Sequence, residues 1–494
     1  MYKYLKEHPL RFSLILGLVI RLIAVIFSKG YGMHDDHYLV IETAQSWVEG
    51  LDYNNWLPEN SEIPSGHSWL YPLINYVHFL FFDFIGVDDP QLKMLLIRLI
   101  LSVYSLSIIY YTFKIVNKIS GIEIATKVTV LTSLLWFMPF LSVRNLVEII
   151  AIPPLMYSVW FFVKHKTDNN IKFYVLFFVG FIAGISFSIR YQTLIFLGGI
   201  GLVLLFNKDY KRLIYWGIGI ILSIFAFQGL IDYIIWGMPF SELKQYFIYN
   251  IDNAYNYETN VWYSYLLLLG GIFVPPFGLI IMFYFFKNYK KYLLLFVPTL
   301  LFLIFHSYFP NKQERFILTI VPFYSIIGMV GFFEYIKENG YNKFYRISFI
   351  FFIIINMLLL PIITTTYSKK SMVDAMYFFY NKKENIESII VENTNKENLK
   401  LMPIFYSGKR FNILEFSSKT IPVNKEDFVL RYHNHPSYIL FIEDKNLEQR
   451  VSKIKKLFPH IQLKKIIEPS LIDEVLHRLN PKNDNQTIYI YQIV

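Results

Sequence analysis

The chain has 494 residues, 54% of them hydrophobic and only 17% charged, and a water-soluble fold of that length has no means of burying so much apolar surface. Its net charge of +10 is scattered through short loops instead of forming one stripe, so no nucleic-acid partner is implied. Cysteine is absent, which excludes a disulfide framework and a thiolate metal site.

Lys3, Lys6 and Arg11 lead into an apolar run over 12–27 without a small-x-small cleavage site. This reads as an uncleaved first spanning helix at about 11–28, with its N-terminus inside. The segment 29–92 is acidic, aromatic and rich in proline, and is placed outside. Within it, 69–84 is apolar but short, begins at Tyr71-Pro72 and ends without Lys or Arg; it is read as a juxtamembrane helix on the outer face. Counting it as a span would invert everything that follows.

Ten further spans then fall at about 93–115, 124–141, 147–163, 172–188, 191–206, 212–231, 262–286, 292–306, 316–335 and 346–363. Every inside loop on this reading is basic, for example Lys164, Lys166 and Lys172, or Lys208, Lys211 and Arg212. The outside segments before 364 carry only Lys29, Arg144, Arg190, Lys244, Lys312 and Arg315, the asymmetry of the positive-inside rule. From about 364 hydrophobicity falls. Strand-like runs at 438–442 and 487–493 around an amphipathic stretch at 447–458 read as a small α/β domain. The expected fold is an all-α polytopic membrane bundle of about eleven spans over 1–365, with an extracytoplasmic α/β domain over 366–494.

The outer segments collect the ionisable groups. His34-Asp35-Asp36-His37 opens the first outside loop, with Glu42 seven residues beyond Asp35 in a helix-like segment. Either Asp35 or Asp36 can cap that helix. Arg144 and Glu148 sit at one outer junction of two spans and Arg190 at another, while Lys312, Gln313, Glu314 and Arg315 fill the loop before the span at 316–335. An ionisable group near bilayer depth costs about 2.5–3.5 kcal/mol on insertion scales, so such groups mark function more often than anchoring when several converge on one face.

One chemistry uses carboxylates and cations at an outer membrane surface without a nucleotide fold: glycosyl transfer from a lipid-phosphate sugar. An acceptor hydroxyl attacks the anomeric carbon, a carboxylate takes its proton, and polyprenyl phosphate leaves with growing negative charge that Arg forks can hold. Neither a phosphate-binding P-loop nor a dinucleotide turn is present, consistent with a donor that carries no nucleotide. No metal or cofactor is expected; His433-Asn434-His435, ahead of Pro436, reads as a surface motif. Asp35 and Asp36 are the candidate catalytic acids, with Asp35 as base. Arg315, Lys312, Arg190 and Arg144 are candidates for the donor phosphate. His34, Glu42, Glu148, Gln313 and Glu314 are candidates for substrate contact.

These residues carry a resemblance. Met33-His34-Asp35-Asp36, then Ser68-Trp69-Leu70-Tyr71-Pro72-Leu73, is similar to the first outer loop of glycosyltransferase family 22, where His-Pro-Asp-Glu precedes a Tyr-Pro helix. Asp232, Trp236-Gly237, Tyr249-Asn250 and Trp262-Tyr263 follow in the family's order, and Asn311-Lys312-Gln313-Glu314-Arg315-Phe316 resembles its His-Lys-Glu-x-Arg-Phe loop. The likeness covers about residues 10–365 and adds Tyr71, Asp232 and Asn311 to the candidates for substrate contact. It implies a GT-C membrane fold and a metal-free, inverting transfer of mannose from a polyprenyl phosphate to a glycan or glycolipid acceptor at the outer face, by a divergent prokaryotic-type member. Asn311, Gln313 and His34 replace the family's His, Glu and Pro, and the two amides cannot titrate, so any proton role there is lost or passes to Glu314. A polytopic transporter or flippase of lipid-linked saccharides is the rival class; it places its site near the bilayer midplane and often shows internal repeats, of which none is visible. A non-catalytic membrane subunit binding lipid-linked glycans is the other.

Overall fold

Runs of about twenty apolar residues can satisfy their backbone inside lipid only as helices, and helices are what they form. A computed structural model of the chain describes residues 6–168, 170–257, 259–432, 435–481, 483 and 485–494; His433 and Asn434 of the tail motif lie outside the described residues. Among the described residues six helices are long and apolar enough to cross a membrane: Pro9–Phe27, Pro90–Ser120, Val147–Lys164, Tyr210–Trp236, Glu314–Asn339 and Lys343–Thr364. Three shorter apolar helices are Phe173–Ile189, Thr193–Phe206 and Leu293–Tyr308. The protein is an integral, multi-pass membrane protein.

Two expected spans are broken. The run at 262–286 forms Ser264–Ile272 and Phe277–Lys287, bent by 117° to one another. Pro275 and Pro276 between them supply no backbone N–H, so the first helix cannot continue through them. The run at 124–141 stops at Leu134, and a short turn of helix, Met138–Leu141, follows with Pro139 in its first turn. The apolar segment at 69–84 forms the helix Leu70–Phe84, 15 residues and thus shorter than a spanning helix needs.

The chain divides into two compact units. The first comprises Met1–Val25, Ser46–Val77 and Arg98–Thr365. Its most enclosed helix is Glu314–Asn339, whose most apolar window is 89% buried. Helices Phe173–Ile189 and Tyr210–Ile224 meet backbone to backbone. A Cβ added at Gly180 would lie 1.9 Å from the Trp216 carbonyl oxygen, and one at Gly219 2.0 Å from that of Phe177. Small residues are what permit such contact between membrane helices. Arg21, wholly buried, donates to Ser105 Oγ at 2.9 Å and to the Gly17 carbonyl at 3.2 Å, so two of its three nitrogens are bonded inside protein.

The second unit comprises Ile26–Gln45, His78–Ile97 and Thr366–Val494. Its described strands are β1 (Ser388–Asn393), β2 (Asn412–Ser417), β3 (Pro436–Ile442), β4 (Ile461–Ile467) and β5 (Ile488–Ile493), in the order β2-β1-β3-β5-β4. β1 lies parallel to β2 and β3, with Ile390 opposite Leu414 and Ile439, while β5 runs antiparallel to β3 and β4. All six residues of β1 are buried, as a central parallel strand covered on both faces requires. The expected strands at 438–442 and 487–493 are β3 and β5, and the amphipathic stretch is the helix Leu447–Leu457, which sets Ile454 and Leu457 against Ile390, Phe416 and Phe441. On that helix Arg450 is buried against Glu392 at 2.7 Å and donates to the carbonyls of Ile442, Glu443 and Glu392, satisfying a charge that burial alone would make costly.

Candidate active site

In the first unit the arginines singled out by their position gather around one carboxylate. Glu148 stands on the short helix Val147–Ile150 and is buried. Arg190, in the turn after helix Phe173–Ile189, places Nη1 2.7 Å from Glu148 Oε1; Arg315 places its own Nη1 at 3.9 Å from the same oxygen. Arg190 also donates to Gln192 Oε1 at 3.2 Å and to the Phe316 carbonyl at 3.1 Å, and both guanidinium groups lie over the Phe316 ring, at 5.7 and 5.5 Å. Two buried guanidinium groups thus approach one buried carboxylate oxygen.

The loop before helix Val321–Asn339 explains how Arg315 is aimed. Gln313 Oε1 accepts from Arg315 Nε at 2.8 Å, and the Gln313 carbonyl accepts from the Tyr265 hydroxyl at 3.0 Å. Gln313 thus acts as an acceptor that orients the guanidinium, a task an amide performs without titrating. Lys312 Nζ donates to the Phe309 carbonyl at 2.7 Å, and burial lowers its ammonium below the ordinary lysine value. Asn311 is buried and bridges to Thr259 through the backbone, whereas Glu314 is exposed. Arg144 is buried with its guanidinium 4.4 Å from the Phe140 ring, and its neighbour Asn145 accepts from the hydroxyl of Tyr71 at 2.7 Å. Tyr71 is itself buried, at the start of the helix Leu70–Phe84.

Asp232 is joined to a carboxylate that the sequence reading passes over. Both Asp232 oxygens accept from Gln228 Nε2 at 2.9 Å, and Oδ2 also accepts from the Glu242 amide at 3.1 Å. Glu242, fully buried, takes Ser65 Oγ at 2.8 Å, the Gly66 amide at 2.6 Å and the His67 amide at 3.2 Å on Oε2, and Trp236 Nε1 at 2.8 Å on Oε1. This pair fastens the 65–67 loop. His306 is the other omission: it is buried in helix Leu293–Tyr308, its Nδ1 bonds the Phe302 carbonyl at 2.8 Å, and its ring centre lies 6.2 Å from that of Phe316. Because Nδ1 faces a carbonyl it carries the proton, leaving Nε2 as an acceptor. Among the described residues, Glu148 Oε2, His306 Nε2 and Asn311 Oδ1 are buried with no hydrogen-bond partner. A lone ionisable ring in an apolar helix was a visible signal for His306; nothing local marked Glu242.

In the second unit the His34-Asp35-Asp36-His37 motif forms one helical turn that continues as a π-helical stretch, Tyr38–Glu42. Its acids part company. Asp36 is buried and folds back on the chain, accepting from the Met33 amide at 2.8 Å on Oδ1 and the Gly32 amide at 3.0 Å on Oδ2. Asp35 is half-buried and His34 exposed, its ring 4.4 Å from that of Tyr38. His37 is wholly buried between the rings of Tyr31 and Tyr406, at 4.5 and 5.5 Å, with Nε2 3.1 Å from Glu42 Oε1. Burial raises the Tyr31 phenol above its usual value. Glu42 also accepts from the Phe405 amide at 2.8 Å and from Arg410 at 3.3 Å. It is therefore a fully enclosed anchor.

Comparison with solved structures gives the class. The fold is similar to that of ArnT from Cupriavidus metallidurans bound to undecaprenyl phosphate, with a TM-score of 0.62 at 12% identity over 97% of each chain. It is also similar to that of the archaeal oligosaccharyltransferase AglB from Archaeoglobus fulgidus in complex with an inhibitory peptide and a dolichol-phosphate, with a TM-score of 0.50 at 10% identity over 92% of this chain and 71% of that one. The protein is thus a polytopic membrane protein of the GT-C fold. The Alg9-like mannosyltransferase family matches residues 12–410, and the chain belongs to that family of glycosyltransferases. A relative by sequence is GPI mannosyltransferase 3 of Yarrowia lipolytica, 23% identical over 322 residues, 63% of this chain; the match spans 60% of that relative's length.

Proposed function

We propose that the protein transfers a sugar, mannose, from a polyprenyl-phosphate donor to a glycan or glycolipid acceptor, with inversion, at the outer face of the membrane. The observation that carries this reading is the pair of buried guanidinium groups, Arg190 and Arg315, set about one buried carboxylate, Glu148. Arginine forks match phosphate oxygens, and a lipid phosphate is an anion that a membrane protein meets at the interface. Arg315 and Arg190 hold the departing phosphate, with Lys312 and Arg144 supplying further charge. Asp35 is the base: its carboxylate takes the proton of the acceptor hydroxyl as that oxygen bonds the anomeric carbon and the bond from that carbon to the phosphate oxygen breaks. Asp36, whose oxygens are already engaged by two amides, shapes the turn. The lipid-phosphate ligands of the ArnT and AglB structures favour the same donor class.

The apolar helices accommodate about eleven spans if the bent pair is one and the three shorter helices and Ile122–Leu134 are counted. Loop 29–92 and residues from 366 onward then lie outside the cytoplasm. Purified protein in liposomes, supplied with polyprenyl-phosphate mannose and a panel of glycan and glycolipid acceptors, should release polyprenyl phosphate and mannosylate one acceptor class. Movement of intact donor between leaflets without cleavage would instead identify a flippase, and binding with neither cleavage nor movement a non-catalytic subunit.

A further inference from the structure

A second cationic centre lies within the first unit at four helix ends. Helices Ile152–Lys164 and Thr193–Phe206 end there, and helices Phe173–Ile189 and Tyr210–Ile224 begin there. Arg212 is buried and ties the two loops together: its Nη2 donates to the carbonyls of His165 at 2.8 Å and Asp168 at 2.6 Å, and its Nε lies 3.2 Å from Asp209. A cavity of about 250 Å³ opens here, with Ile171, Leu176 and Tyr210 as its apolar wall and Lys208, Asp209, Lys211 and Arg212 on its polar side, the Asp209 carboxylate being held by Arg212.

Charge and surroundings both point to one kind of ligand. Lys164, Lys166, Lys172, Lys208 and Lys211 are all exposed, while Asp168 and Asp209 are engaged by His165 and Arg212, each at 3.2 Å. Phe173, Tyr174, Phe206 and Tyr210 are exposed at the same helix ends, where aromatic rings sit at a membrane–water boundary. From the cavity an exposed apolar stripe, Ile214, Ile218 and Ile221, runs up one face of helix Tyr210–Ile224. Positive-inside anchoring accounts for scattered lysines, but not for a cavity floored by a buried arginine and continued by an apolar track.

We infer that this cavity binds the head group of an anionic phospholipid. The phosphodiester lies against Lys208 and Lys211, and an acyl chain follows the isoleucine stripe. Basic pockets between membrane helices recognise lipid head groups in this way. The test uses the full chain in nanodiscs of equal parts phosphatidylglycerol and phosphatidylcholine, followed by native mass spectrometry of the lipids that stay bound after mild detergent extraction. Wild-type protein should retain phosphatidylglycerol. The triple variant Lys172→Gln, Lys208→Gln, Lys211→Gln should bind it about a hundredfold more weakly, because each lysine near the head group contributes separately. A control removing the same charge elsewhere, Lys118→Gln, Lys287→Gln, Lys290→Gln, should retain it normally. Equal losses in both triple variants would mean diffuse attraction to the surface and overturn the site, as would retention unchanged in the first. A third arm adds undecaprenyl phosphate; if that lipid alone is retained through these lysines while phosphatidylglycerol is not, the cavity serves the carrier lipid and the phospholipid assignment fails.

Discussion

Replacing Asp35 and Asp36 by Asn, one at a time, separates a reacting carboxylate from a structural one. Asp36 uses one oxygen for the Met33 amide at 2.8 Å and the other for the Gly32 amide at 3.0 Å. Asn offers one oxygen and one NH₂, so one amide is left facing a donor in a buried turn, at a cost of about 1–3 kcal/mol. Asp36→Asn should therefore lower thermal stability while the transfer rate per folded molecule survives. Asp35 is half-buried, and Asn there keeps the shape and one acceptor oxygen. Its loss is the ability to accept a proton, which contributes about 10²- to 10⁴-fold to rates of this kind. Asp35→Asn should fold and bind donor normally yet transfer mannose at least about a hundredfold more slowly. The assay is mannose transfer in proteoliposomes, normalised to folded protein, beside a melting curve for each variant. A stable but inactive Asp36→Asn together with an active Asp35→Asn would move the base by one residue, and full activity in both would refute the catalytic role of this loop.

Arg315→Ala should weaken donor binding and slow transfer together, because the phosphate charge grows as the bond breaks; Arg315→Lys should be impaired as well, since it keeps the charge but loses the planar fork held by Gln313. Wild-type turnover in both variants would remove Arg315 from the phosphate site. Glu242→Gln removes charge from an acceptor that serves four donors and should cost about 1–3 kcal/mol, read as faster hydrogen exchange at the Gly66 and His67 amides; unchanged exchange would contradict the fastening role. Alkaline phosphatase fused after residue 420 should be active, whereas activity only of a cytoplasmic reporter at that position would invert the proposed topology.

Hydropathy and composition are sums over neighbouring residues, and what depends on them was legible along the chain: a multi-pass membrane protein, the places where its apolar helices run, and the amphipathic helix and two strands of the tail. The ordered motifs from His34 to Phe316 identified the family for the same reason, since each is a local string. Pro275 and Pro276 were equally visible, but a window of average hydropathy does not register the donors they lack, so the bent helix pair read as a straight span. Fates of individual charges were not legible, because they are set by partners far along the chain. Glu42 looked like Asp35, yet its oxygens are taken by the Phe405 amide, 363 residues away, and by Arg410. Thr319, three residues beyond the last motif, donates to the carbonyl of Glu148, 171 residues away, and the Glu148 side chain holds Arg190. Sequence determines which residues are costly to bury; only the tertiary structure decides which neighbour offsets that cost, and so makes anchors of Glu42 and Glu242.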